Sequence, residues 1–278
     1  YTHKLSKMSD ILPTFSKEGE VTIITGGSGG LGSIIAKGLI ANGSEIALLD
    51  MNLERTQESA NELKKFCEEE LKLKDIPKIS AWACNIADAE NVDTVFASVA
   101  EEHGKLVTNL VNCAGYCENF AAEDYPAKNA EQLTKVNLLG SLYVSQSFAR
   151  PLIKAGKAGA VVLIGSMSGT IVNTPQNQVA YNMTKAGVIH LARSLACEWA
   201  TYNIRVNTLS PGYILTPLTK NVINGNAEMR EAWVSRVPMK RLSEPKEFIG
   251  SVLYLLSNSA SSYTTGHNLV VDGGYECW

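Results

Sequence analysis

The chain has 278 residues, 45% of them hydrophobic and 19% charged, with 25 basic and 28 acidic residues and a net charge of −3. That length suits one large α/β domain with ample chain for a core. The charge balance offers no positive field for nucleic acid, and no apolar run reaches the roughly eighteen residues of a membrane span.

Residues 1–19 lack the apolar centre of a signal peptide and predict a loosely held arm. Residues 20–25 predict a strand leading into Thr25-Gly26-Gly27-Ser28-Gly29-Gly30-Leu31-Gly32, then a helix over 30–41. A strand follows at 45–50, a charged helix at 53–74 before Pro77, a strand at 78–85 and a helix at 89–103. The fourth strand is predicted at 106–113, an apolar helix at 132–153, the fifth strand at 160–165 and a helix at 179–200. A sixth strand at 204–210 stops at Pro211-Gly212, and a helix at 245–256 precedes the last strand at 268–272.

Near-continuous apolar strands alternating with helices predict a Rossmann-type, doubly wound parallel sheet with helices on both faces. With no repeat or linker, residues 1–278 read as one domain. The polar stretch 213–240 interrupts the alternation just after a strand's carboxyl end. It reads as a substrate lid or as an ordinary surface excursion.

Six cysteines, at 67, 84, 113, 117, 197 and 277, match neither a zinc nor a disulfide pattern, and the four histidines are scattered. No metal is expected, and a reducing cytoplasm fits the thiols.

Glycines between a strand and a helix let the backbone approach a pyrophosphate, and the helix N-terminus offers it N–H groups. The second strand ends at Asp50, eighteen residues after Gly32. A carboxylate there accepts hydrogen bonds from both adenosine ribose hydroxyls of NAD and repels a 2′-phosphate. The cofactor expected is therefore NAD. A helix cap is the other reading of Asp50.

Tyr181 and Lys185 are four apart, one turn of a helix, and Ser168 lies thirteen residues before Tyr181. An ammonium near a phenol lowers its pKa, which predicts a tyrosine able to exchange a proton with an alcohol or ketone.

These residues together resemble the short-chain dehydrogenase/reductase family over residues 20–274. The resemblance rests on Thr25, Gly26, Gly30 and Gly32; on Asn112, Ala114 and Gly115; on Asn137 in Lys-Val-Asn-Leu-Leu-Gly; on Ser168, Tyr181 and Lys185; and on Pro211, Gly212, Ile214 and Thr216. The runs 182–190, 207–219 and 271–278 look like its fungal polyol dehydrogenase branch.

The resemblance implies catalysis by Asn137, Ser168, Tyr181 and Lys185, with Ser166 the less favoured serine. It implies that NAD is held by Gly26, Ser28, Gly30, Leu31, Gly32, Asp50, Asn85, Ile86, Asn112, Ala114, Gly115, Tyr181, Lys185, Pro211, Gly212, Ile214 and Thr216. The implied reaction is oxidation of a secondary alcohol of a sugar alcohol to a ketose, in a homotetramer.

A polyol needs several polar groups in its pocket, for which Glu118, Asn119, Asn173, Gln178 and Tyr213, with Ser168, are candidates. Extra apolar residues on the helices 132–153 and 179–200, among them Leu138, Leu142, Val188, Leu191, Leu195 and Trp199, predict burial on a second side. An NADPH-linked ketone or quinone reductase and a non-catalytic dinucleotide-binding module remain as rival readings.

Overall fold

A computed structural model describes residues 12–277. Seven strands form one parallel sheet: β1 (Val21–Thr25), β2 (Glu45–Asp50), β3 (Ile79–Ala83), β4 (Asn109–Asn112), β5 (Gly159–Ile164), β6 (Ile204–Pro211) and β7 (Asn268–Val271). Their order is β3-β2-β1-β4-β5-β6-β7. The order reverses between β1 and β4, and in such sheets that switch point opens a crevice at the strands' carboxyl ends.

The strands β1, β4, β5 and β6 are buried at every position, as both faces of the sheet are covered. Successive side chains point to opposite faces and feed two cores. Ile23, Leu49, Leu110, Val161 and Val206 pack against α3 (Ala89–His103), α5 (Gly140–Ala155) and α6 (Val179–Trp199). Ile24, Leu48, Val111, Val162 and Leu209 pack against α1 (Gly32–Ala41), α2 (Leu53–Glu69) and α9 (Ile249–Leu256). Each fully buried aliphatic side chain contributes about 1.5–3 kcal/mol.

Three expectations change. The helix predicted over 132–153 is three pieces: α4 (Ala127–Thr134), a π-helical turn (Lys135–Leu139) and α5. The charged helix stops at Glu69, five residues early, where Leu71 and Leu73 N–H groups turn back onto Phe66 and Cys67 carbonyls. Lys72 then takes a left-handed φ of 53°.

The arm is also held more firmly than expected over its described part. Lys17 is 1% exposed, and its Nζ donates to the Leu256 carbonyl (2.7 Å) and to Glu20 (3.2 Å). Thr14 exchanges hydrogen bonds with Ser259 and Ser257. Residues 1–11 and Trp278 lie outside the described residues.

The stretch 213–240 contains α7 (Pro217–Ile223) and α8 (Ala227–Arg236). Several apolar side chains chosen from α5, α6 and the π-turn face inward: Val188 and Leu195 are buried, and Leu138, Leu142, Leu191 and Trp199 pack against the first core. The exposed ones are instead Leu139, Val179 and Met183, the last at 55%.

Candidate active site

A cleft of about 370 Å³ opens at the carboxyl ends of β1, β4, β5 and β6. Leu31 lines it after β1, and Cys113, Gly115, Tyr116, Cys117 and Asn119 line it after β4. Ser166, Met167 and Ser168 follow β5, Tyr181 and Lys185 come from α6, and Pro211, Gly212, Tyr213, Ile214 and Thr216 follow β6. The switch point of the sheet therefore gathers residues that are far apart in sequence.

Tyr181 and Lys185 share one face of α6, as their spacing requires. The Lys185 Nζ stands 5.6 Å from the centre of the Tyr181 ring and donates to the Ile164 carbonyl at 2.7 Å. Burial lowers the Lys185 pKa to about 8, against the nearby Cys113 and Cys117 thiols. The Tyr181 phenol moves the opposite way from expectation. Burial pushes it up to about 12, partly opposed by a hydrogen bond with Ser166. The ammonium is directed at the end of β5, so desolvation of the phenolate wins.

The serine expectation also changes. Ser166, not Ser168, is hydrogen-bonded to Tyr181. Ser166 leaves β5 extended, and its Oγ accepts from the Ser168 N–H (3.1 Å), capping the short 3₁₀ turn Met167–Gly169. Ser168 Oγ instead accepts from Gln178 Nε2 at 3.1 Å. Both line the cleft, on different sides of the turn.

Asn137 sits in the π-helical turn, 1% exposed. Its Nδ2 donates to the Tyr116 carbonyl (2.9 Å) and Thr184 Oγ1 (3.3 Å), and its Oδ1 accepts from the Tyr116 N–H (3.1 Å). It thereby clamps the loop after β4 to the helix carrying Tyr181. Thr25 Oγ1 donates to Asn112 Oδ1, Asn112 Nδ2 to Ser141 Oγ, and Ser141 Oγ to the Asn137 carbonyl. Asn112 thus serves this buried chain beneath the cleft and does not itself line it. Ala114 does not line it either; its N–H donates to Thr25 Oγ1.

Three glycines of the turn leave no room for a side chain. Gly26 takes φ 64°, and a Cβ there would lie 2.8 Å from the Ala114 nitrogen. A Cβ on Gly32 would collide with the Gly26 carbonyl, and one on Gly30 would meet Pro217 at the start of α7 at 2.8 Å. Ser28 donates from both N–H (3.2 Å) and Oγ (2.6 Å) to Asp50 Oδ2. Asp50 is not the helix cap, since Asn52 takes that position by accepting from the Arg55 N–H. Asp50 forms no salt bridge with Lys or Arg among the described residues. A glycine-rich turn beside a carboxylate with no cationic partner among the described residues fits a dinucleotide: close backbone approach for pyrophosphate, an acceptor for ribose hydroxyls. Asn85 is exposed, its Oδ1 accepting from the Ala87 N–H, and Ile86 is buried in the first core.

Among the polyol candidates, Asn119, Asn173, Gln178 and Tyr213 line the cleft. Glu118 does not: it turns away to accept from Tyr125 OH (3.3 Å) and Asn129 Nδ2 (3.0 Å) on α4. Sequence reasoning missed Tyr116, Cys117, Gln176, Thr219, Met229 and Trp233. The neighbour of Gln178 in the Pro-Gln-Asn-Gln loop could have flagged Gln176. Nothing local distinguishes Trp233 from a core residue of α8. Among the described residues, no cluster could hold a metal ion, and no helix is long and apolar enough to cross a membrane.

The family model described as Enoyl-(Acyl carrier protein) reductase matches residues 26–276. The chain is 65% identical to D-arabinitol 2-dehydrogenase [ribulose-forming] of Scheffersomyces stipitis, over 97% of this chain and 98% of that protein. It is 64% identical to NADH-dependent L-xylulose reductase of Ambrosiozyma monospora, over 98% of this chain and all of that one. The crystal structure of a short-chain type dehydrogenase/reductase from Mycobacterium marinum superposes with a TM-score of 0.86 at 31% identity, covering 95% of this chain and 98% of that one.

Proposed function

The chain belongs to the short-chain dehydrogenase/reductase family and is an oxidoreductase acting on CH–OH groups; we propose that it is an NAD-linked polyol dehydrogenase converting D-arabinitol to D-ribulose, reversibly. The observation that carries the reading is the cleft lining. Among the described residues that line it, Lys185 is the one cation, and the rest offer carboxamide, hydroxyl, sulfur, indole, backbone and apolar surface. A phosphorylated sugar or a sugar acid would find no counter-charge beyond that buried lysine, whereas a neutral polyol is matched by amides and phenols. The 65% identity to an arabinitol dehydrogenase supports the choice of pentitol.

A bound nicotinamide dinucleotide supplies the hydride acceptor or donor. Gly26, Gly30 and Gly32 would lie under its pyrophosphate and Asp50 against its adenosine ribose; Ser28, Leu31, Gly115, Pro211, Gly212, Ile214 and Thr216 would surround it. Tyr181, held as a neutral phenol by burial, gives its proton to a ketose carbonyl in reduction, and takes the proton of the substrate hydroxyl in oxidation only as the phenolate. Ser166 holds the same oxygen and steadies the charge growing on it. Lys185 supplies positive potential behind the phenol, and Asn137 holds the two halves of the site in register. The stretch 213–240 is the lid of this single domain.

A panel of pentitols and hexitols with NAD and NADP tests the reading. The expected result is ketose formation from D-arabinitol with NAD preferred, and a weaker preference in Asp50→Ser. A wild-type preference for NADP, or activity only on non-polyols, overturns it. Reduction of L-xylulose with NADH is the second reading, favoured by the 64% relative; the same panel run with ketoses separates the two. Exposed Leu139, Val179 and Met183 support a homotetramer, which sedimentation at micromolar concentration checks. The six free thiols suit the cytoplasm, testable by fractionation.

A further inference from the structure

We propose that Gln176 is a specificity-determining residue, which recognises a substrate hydroxyl remote from the reacting carbon while tied to the lid helix α8. The inference rests on the polyol reading above. Gln176 Oε1 accepts from Trp233 Nε1 at 3.0 Å, and its Nε2 donates to Tyr213 OH at 3.0 Å. Trp233 is 5% exposed and lies flat on Tyr213, with ring centres 4.2 Å apart and planes 7° apart. One carboxamide therefore joins the lid to the cleft's polar wall.

That wall is continuous. Asn173 Nδ2 donates to Tyr213 OH (3.3 Å), and Gln178 Nε2 donates to Asn173 Oδ1 (2.9 Å), Ser168 Oγ (3.1 Å) and Asn182 Oδ1 (2.8 Å). Gln178 has two amide hydrogens for these three acceptors, so one of them is shared. Gln176, like Ser168, Asn173 and Gln178, borders both the cleft and the groove beside it, whereas Tyr181 borders only the cleft.

Among the described residues, two buried side-chain polar atoms have no hydrogen-bond partner: Thr174 Oγ1 and Tyr275 OH. Neither lines the cleft, but both adjoin residues that do. Thr174 lies between Asn173 and Gln176 in the loop, and Tyr275 stands edge-on to Tyr213 with centres 5.7 Å apart. A ligand carrying several hydroxyls donates and accepts at once, as carboxamides do. Its C–H side can lie on the apolar Tyr213–Trp233 face. A short secondary alcohol reaches Tyr181 but leaves Gln176 unused.

The test compares kcat/KM for a pentitol and for 2-butanol in wild type, Gln176→Leu, Gln176→Glu and Trp233→Phe. Dinucleotide affinity is followed by NADH fluorescence, and folding by thermal melting. Gln176→Leu is expected to lower the pentitol-to-butanol ratio roughly tenfold or more, chiefly through KM, with dinucleotide affinity held. Gln176→Glu keeps the acceptor for Trp233 but loses the N–H donor, and falls between. Trp233→Phe keeps the stacking and loses the donor, and lowers the same ratio. Equal losses on both substrates, no loss, or weakened dinucleotide binding overturn the proposal. A wild type that does not favour the pentitol over 2-butanol refutes the polyol reading itself, before any variant is compared.

Discussion

Ser166 and Ser168 are two residues apart, and the one bonded to the phenol is Ser166. Counting thirteen residues back from Tyr181 selects Ser168, because a count assumes one loop length. The loop between them carries Asn173, Gln176 and Gln178, and its length cannot be read against a fixed spacing. Ser166→Ala is expected to lower kcat by about a hundredfold with dinucleotide affinity retained, as for loss of one donor to a developing oxyanion. Ser168→Ala, two bonds removed from the phenol, is expected to cost tenfold or less; a larger loss at Ser168 would reverse the assignment. Lys185 carries a different prediction. Its folded pKa of about 8 lies below the ordinary 10.5, so the unfolded chain binds the proton more tightly. The buried ammonium therefore costs stability below pH 8, and the cost disappears as pH rises from about 8 to 10.5. Lys185→Met should melt higher than wild type at pH 7, with the gain shrinking by pH 10, while turnover is lost. A lower melting temperature at pH 7 would show that the bond to Ile164 outweighs desolvation.

At the scale of elements, the π-helical turn Lys135–Leu139 was invisible in an apolar run that reads as one helix. Hydrophobic period alone does not register one extra residue in a turn, and such turns gather at functional sites. Here it places Asn137 where its side chain meets both backbone groups of Tyr116. Asn137→Ala leaves that partly buried N–H and C=O without their protein partner and is expected to cost about 1–2 kcal/mol, with a fall in kcat. Chemical denaturation measures the first and steady-state kinetics the second; full stability in the variant would rule out the clamp. The lid shows the same limit. The stretch 213–240 reads only as polar in sequence, and α8, half of it polar, gains its fixed position from Trp233 on Tyr213 and from Gln176.

Across the whole molecule, the end of the sheet opposite the cleft is held by a separate polar cluster. Glu45, at the start of β2, accepts from Lys105 Nζ at 2.7 Å and pairs with His103 Nδ1 at 2.7 Å, while His103 Nε2 meets Ser80 Oγ at 2.9 Å. Burial pushes the Glu45 carboxyl up, but the bonds from Lys105 and His103 outweigh it and hold the pKa below the ordinary 4.5. The stabilisation is therefore complete above that value and fades as pH falls through the folded pKa. Glu45→Ala should lose about 2 kcal/mol near neutral pH, a difference that closes below pH 4.5, with kcat per folded molecule unchanged. Denaturation curves at pH 7 and pH 4 check the first part, and a variant with impaired turnover would contradict the separation of the two ends.

The order of strands and helices, the glycine turn, Asp50 and the Tyr181–Lys185 face were legible in the chain itself. They depend on period, on backbone freedom at glycine and on residues close in sequence. Tertiary structure alone decided that Ser166 meets the phenol, that burial raises the Tyr181 pKa, that Glu118 turns away, and that Gln176 and Trp233 join the lid to the cleft. Those outcomes depend on desolvation and on contacts between residues dozens of positions apart, and neither leaves a mark in local sequence.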